Sequence, residues 1–160
     1  MSILKIITHP HPVLRQTAVA LDPKVMTQPE WQALVQAMAQ TMIEADGAGL
    51  AAPQIGQSIR LIAVAVPEGA LIMVNPQITK SSWLKEWGEE GCLSIPNIYG
   101  EVKRHKKIRC KFWDAQGKQR QIEAEGLLAR VIQHEIDHLN GILFIDKAKN
   151  IIEQPDAKNN

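Results

Sequence analysis

The stretch VIQHEIDHLNG, residues 131–141, decides how the rest of the chain is read. At its centre His134, Glu135 and His138 stand as His-Glu-x-x-His. Apolar Leu127, Leu128, Val131, Ile132, Ile136 and Leu139 recur around them at helical spacing, so the segment reads as a largely buried helix over 126–140 that stops before Gly141. Residues four apart on a helix share a face, one turn apart. His134 and His138 can therefore reach one metal ion at about 2.0–2.1 Å. Glu135 projects beside them and can take a proton from a water whose pKa a divalent metal lowers from about 15.7 to about 7. It can then pass that proton to a leaving group. Two histidines and a carboxylate inside an apolar helix are costly unless they have partners. A metal is one such partner; a chance match on a helix polar along one side is the alternative.

Two histidines make an incomplete site, because catalytic zinc-type sites usually carry three protein ligands and one open position. A third candidate lies upstream in EEGCLSIP, residues 89–96. Cys92 follows Gly91, where the missing side chain permits close approach of the backbone. As a thiolate Cys92 suits zinc or iron(II); a buried, inert thiol is the other reading. Cys110, in KIRCKFW, reads as inert.

Further upstream, DGAGLAAPQIG, residues 46–56, is rich in small residues. It lacks the Lys-Ser/Thr ending of a phosphate loop and does not fit the dinucleotide fingerprint. Its small residues either form a structural turn or let extended backbone lie close to a ligand, with Gln54 offering an amide donor to a developing oxyanion.

The rest of the chain sets the frame. At 160 residues it makes one domain with a real core. Hydrophobic residues are 45% and charged residues 22%, ordinary for a globular protein, and the net charge of +1 gives no global field for nucleic acid or an anionic membrane. The run 103–107, Lys-Arg-His-Lys-Lys, reads as a solvated face, with a contact surface for RNA or protein as the alternative. No segment is long enough to span a bilayer, and the opening MSILKIITHPHPVL is a poor secretory signal. A cytoplasmic chain with reduced cysteines is expected. No internal repeat is present. A turn and short helix are expected after His9-Pro10-His11-Pro12, a helix over 30–46 ending at Gly47, strands over 59–66 and 70–76, and a hairpin pairing 108–113 with 120–125. The tail after Asp146 is expected to fray. Strands in the middle with helices near both ends imply an α+β domain over 1–147, with a polar tail over 148–160.

Taken together and in order, three stretches resemble the peptide deformylases: Gly47-Ala48-Gly49-Leu50-Ala51-Ala52-Pro53-Gln54, then Glu90-Gly91-Cys92-Leu93-Ser94, then His134-Glu135-Ile136-Asp137-His138. The likeness runs from the His-Pro-x-Leu-Arg start at His11 to about Asp146. The resemblance implies antiparallel β-sheets packed around a central helix carrying the HEIDH motif. It implies a metallo-hydrolase of protein biosynthesis that removes the formyl group from the N-terminal formyl-methionine of nascent polypeptides, releasing formate. Cys92, His134 and His138 would bind one divalent metal, natively iron(II), with zinc or nickel able to replace it. Glu135 would be the general acid and base, and Gln54 with the backbone N–H of Leu93 would hold the oxyanion. Ala48, Gly88, Leu127 and Val131 would surround the methionine side chain, with Glu90 lining or bracing that pocket and Gly49 and Gly91 among the substrate-binding residues.

Two departures from the family pattern matter. Ala48 and Gly88 stand where relatives often carry bulkier aliphatic residues, which would enlarge or reshape the methionine pocket. The C-terminus is shorter and more polar than in relatives that dock on the ribosome through a C-terminal helix, so the ribosome is a candidate partner and is not assumed. Neither a membrane nor nucleic acid is expected as a partner. A zinc peptidase would usually take its third ligand downstream, and no histidine follows His138. A silent metal- or peptide-binding module would not need Glu135 and Gln54 together with the three ligands.

Overall fold

The computed structural model describes residues 2–155. Two helices, α1 (Pro29–Glu44) and α2 (Gly126–Leu139), accompany eight strands. The strands are β1 (Gly49–Ala51), β2 (Leu61–Val66), β3 (Gly69–Ser81), β4 (Lys85–Cys92), β5 (Ile95–His105), β6 (Lys107–Trp113), β7 (Gln119–Glu125) and β8 (Lys149–Glu153). They form two sheets, ordered β1-β2-β3-β6-β7 and β4-β5-β8, with antiparallel pairing throughout. The architecture is the expected α+β one, with α2 between the sheets.

Strand β2 shows why. LIAVAV is apolar nearly throughout because both faces of the first sheet are covered. Leu61 and Ala63 pack with Trp31, Val35, Met38 and Met42 of α1, while Ile62 and Val64 pack with Ala129, Val131, Ile132, Ile136 and Leu139 of α2. A period-two strand between two helices must be apolar at odd and even positions alike. On its other side α2 meets β5 of the second sheet, and Val13, Leu14, Ile95, Val102, Leu143 and Phe144 form a third apolar cluster.

The helix ends refine the sequence reading. Helix α1 ends at Glu44, and the left-handed residue after it is Asp46 (φ 54°), not the expected Gly47. Gly47 is required for another reason: a Cβ there would meet Leu93 Cδ1 at 2.8 Å. At the end of α2, Gly141 does take the left-handed conformation (φ 71°) and donates to His138 O, as a helix C-terminal glycine should.

The structure departs from the sequence reading at three places. Strands β4 and most of β5 were not foreseen, since KEWGEEGC carries no apolar alternation and is held by its pairing with β5. The run 103–107 is not one solvated face: Lys103, Lys106 and Lys107 are exposed, but Arg104 is buried, because alternate residues of β5 face opposite sides. The tail does not fray from Asp146, since β8 pairs with β5 through Tyr99–Ile152 and Glu101–Lys149. Backbone pairing of this kind needs no apolar periodicity, and Gly100 lets Ala148 approach closely. Residues 156–160 of that tail lie outside the described residues.

Leu61 is fully buried in the apolar cluster that packs against α1. Leu61→Ala should destabilise the fold by about 2–5 kcal/mol in denaturant titration while leaving metal content unchanged; a loss below about 1 kcal/mol would contradict the two-sided packing of β2.

Candidate metal centre and active site

Helix α2 places His134 and His138 one turn apart, with ring centroids 5.0 Å apart. Strand β4 ends at Cys92, where a register shift after Gly91 turns the chain. Cys92 Sγ lies 3.3 Å from His138 Nε2, and one ligand atom from each of Cys92, His134 and His138 lies within 4.8 Å of the others. A tetrahedral ion with a sulfur and two imidazole ligands requires donor atoms roughly 3.5 Å apart. The set fits a metal.

Its electrostatics agree. Glu90 is buried, and its carboxylate receives Arg104 Nε and Nη2 at 2.9 Å each, Arg130 Nη1 at 2.8 Å and the His134 Nδ1 position at 2.8 Å. Burial alone would raise the Glu90 pKa, but hydrogen bonds from Arg104 and His134 hold it well below the usual carboxylate range. With Nδ1 engaged by Glu90, Nε2 of His134 is left to face the cluster. Burial disfavours a charge on His134, yet hydrogen bonds to Cys92 and Glu90 and the charge of Glu135 push its pKa up to about 10. Those neighbours form an anionic field that draws a proton and would equally draw a divalent cation. Burial, then the positive charges of His134 and Arg104, lower His138 well below its ordinary value, which keeps it neutral with a lone pair for coordination.

Glu135 is 3% exposed, and burial pushes its pKa up to about 7 against the pull of His134. Among the described residues, Glu135 Oε2 and His138 Nδ1 are the buried side-chain atoms with no hydrogen-bond partner. Glu135 sits against Gly49 of β1, where any Cβ would run into its carboxylate. Gln54 is oriented from both ends: Oε1 accepts from Ala51 N–H at 2.8 Å, and Nε2 donates to Ser94 Oγ at 3.1 Å and to Cys92 Sγ at 3.5 Å. The N-terminal segment supports both loops, with Ile7 N–H donating to Gln54 O and His9 N–H to Ser94 O.

A cavity of about 410 Å³ opens beside these groups. Ala48, Gly49, Gln54, Glu90, Gly91, Cys92, Leu93, Leu127, Val131, His134 and Glu135 line it, which gathers nearly the whole expected site. Two residues behave differently from expectation. Leu127 lines the cavity but is 73% exposed, so it stands at the mouth and not in the buried body of α2. Gly88 is outside the wall, and the room above it is filled by the Arg130 guanidinium.

Arg104, Arg130, Asp137 and Ser94 belong to the site and were missed from the sequence. Arg104 pairs with Asp137 as well as Glu90, and Asp137 also meets Lys147. Only the alternation of Val102 and Arg104 on one face of β5 could have flagged the arginine as inward-facing.

The comparisons with known proteins point the same way. A peptide deformylase of Carboxydothermus hydrogenoformans is 47% identical over 154 residues, covering 96% of this chain and 99% of that protein. One from Thermoanaerobacter pseudethanolicus is 52% identical over 125 residues, 78% of each chain. Among solved structures, a class I type b peptide deformylase of Acinetobacter baumannii superposes with TM-score 0.89 at 38% identity, covering 92% of this chain and 100% of that one. The Thermotoga maritima peptide deformylase gives 0.88 at 38% identity, covering 93% and 99%. Residues 3–154 match the family model for polypeptide deformylase. With that match spanning nearly its whole length, the chain belongs to the polypeptide deformylase family.

Proposed function

We infer that this chain hydrolyses the formyl group from the N-terminal formyl-methionine of nascent polypeptides, releasing formate. The observation that carries the inference is the convergence of Cys92, His134 and His138 next to a cavity lined by Cys92, His134 and Glu135, whose buried carboxylate oxygen Oε2 has no partner. Family membership implies a single divalent metal. The donor set, one soft thiolate with two imidazoles, supports iron(II) as the native ion with zinc or nickel as substitutes. Bound there, such a metal supplies Lewis acidity that brings a water's pKa to about 7 and polarises the formyl oxygen.

The chain's own residues do the rest. An extended peptide enters between β1 and β4, which are edge strands of the two sheets, and gains backbone hydrogen bonds that do not depend on its downstream sequence. Its first side chain goes into the cavity wall formed by Ala48, Val131 and Leu127, with Gly49 and Gly91 allowing close approach of the backbone. Water adds to the formyl carbon and Glu135 Oε2 takes its proton. Gln54 Nε2 and the Leu93 backbone N–H donate to the oxygen that becomes negative. Glu135 then hands the proton to the amine nitrogen as the C–N bond breaks, so formate and a free N-terminus leave.

Localisation in the cytoplasm is part of this reading. Both cysteines are free, no described helix is long and apolar enough to cross a membrane, and nascent chains are the substrate. Docking on the ribosome is not required by the site and is tested separately by co-sedimentation with ribosomes.

Formate release from formyl-Met-Ala-Ser by anaerobically iron(II)-loaded protein tests the reading. Glu135→Ala should retain one metal per chain and lose at least about 10²-fold in kcat, whereas His134→Ala should lose the metal. Equal metal loss in both would remove Glu135 from the proton-transfer role. Gly49→Ala should displace the carboxylate and cost about 10²-fold in kcat at wild-type metal content; full activity would show that Glu135 does not act from its position against β1.

A further inference from the structure

We propose that Gly88 and Arg130 form a matched pair that sets the size of the first-residue pocket and thereby its preference. The proposal rests on the deformylase reading and concerns which side chain the cavity selects. Arg130 lies one turn before His134 on α2 and lines the cavity. Its guanidinium is tied down on all sides: Nη1 donates to Glu90 Oε2 at 2.8 Å, Val102 O at 2.8 Å and Gly88 O at 3.4 Å, and Nη2 donates to Glu86 O at 3.0 Å. Four anchors on β4 and β5 hold a side chain that would otherwise be among the most mobile in the protein.

The guanidinium takes the space that a side chain at position 88 would fill. A Cβ on Gly88 would lie 2.7 Å from Arg130 Cζ and 2.8 Å from Nη2. A glycine at 88 therefore does not widen the cavity. It admits a tethered arginine whose charged head is neutralised by Glu90 and which itself lines the cavity. The same contact gives Glu90 a second cation besides Arg104, so the pocket wall and the carboxylate behind His134 share one anchor.

The pair predicts compensation. Arg130→Met removes the head and empties the space over Gly88, so bulkier first residues should enter. Gly88→Val should expel the head and disturb the wall from the other side. In the double variant the valine occupies the vacated space. Calorimetric binding of the unformylated peptides Met-Ala-Ser and Phe-Ala-Ser, with metal content measured alongside, reads the pocket without turnover. Each single variant should lower the Met-over-Phe preference about tenfold, and the double variant should recover most of it. In kinetics with the formylated peptides the change should fall on KM more than on kcat, and Arg104 should keep the metal in place. Gly88→Ala carries the same offending Cβ and replaces the valine if that variant does not fold. An unchanged preference in the single variants, or a double variant as poor as the product of the two, would overturn the pairing. Failure of the unaltered chain to deformylate any formyl peptide would instead overturn the underlying function while leaving the binding test intact.

Discussion

The structure depends on one buried carboxylate. Glu90, on an edge strand of the smaller sheet, receives Arg104 from β5, Arg130 from α2 and the ring of His134. Without these partners it would be an isolated charge in an apolar interior, which costs several kcal/mol. With them it joins the strand that carries Cys92 to the helix that carries His134 and His138. The two halves of the ligand set come from segments far apart in the chain, and the carboxylate fixes their separation. Burial would depress the Arg104 pKa, but Glu90 and Asp137 raise it, so the guanidinium stays charged where it is needed. Asp137, one position before His138, extends the tie along the same helix.

The sheets explain why the cavity is where it is. The smaller sheet ends at β4 and the larger at β1, and α2 runs between them. Two edge strands facing one helix leave a groove with unpaired backbone on both sides, which is a liability in most proteins and, under the proposed function, would serve as a template for an extended peptide. Glycines at 49 and 91 make room for side chains that border it. Gly49 sits against the Glu135 carboxylate, and the Tyr99 ring packs over Gly91 at 2.8 Å from where a Cβ would stand.

Much of this was legible in the sequence, for physical reasons. The 3.6-residue period of α2 and its His-Glu-x-x-His placed three site residues on one element, because helical geometry is local. Strand β2 and the β6–β7 hairpin followed from apolar runs bounded by turn residues. The three motifs, read together, supplied Cys92 and Gln54. What stayed hidden was tertiary. KEWGEEGC forms a strand through pairing with β5 and not through its own pattern. Arg104 sat inside a basic run whose composition suggested solvent, although strand alternation turned it inward. Gly88 looked like an enlarged pocket, and only the packing of Arg130 shows the space to be filled. The tail's polar residues hid β8, whose support is backbone pairing.

Glu90 receives the His134 ring at 2.8 Å and so orients it toward the candidate ligand set. The direct test is zinc affinity of Glu90→Gln, by competition with a chelating dye, against the unaltered protein. Glutamine keeps the shape but removes the charge that binds two arginines and the imidazole. The variant should lose about 10- to 100-fold in affinity with the fold retained. Wild-type affinity in the variant would contradict it and leave the metal ligands positioned by packing alone.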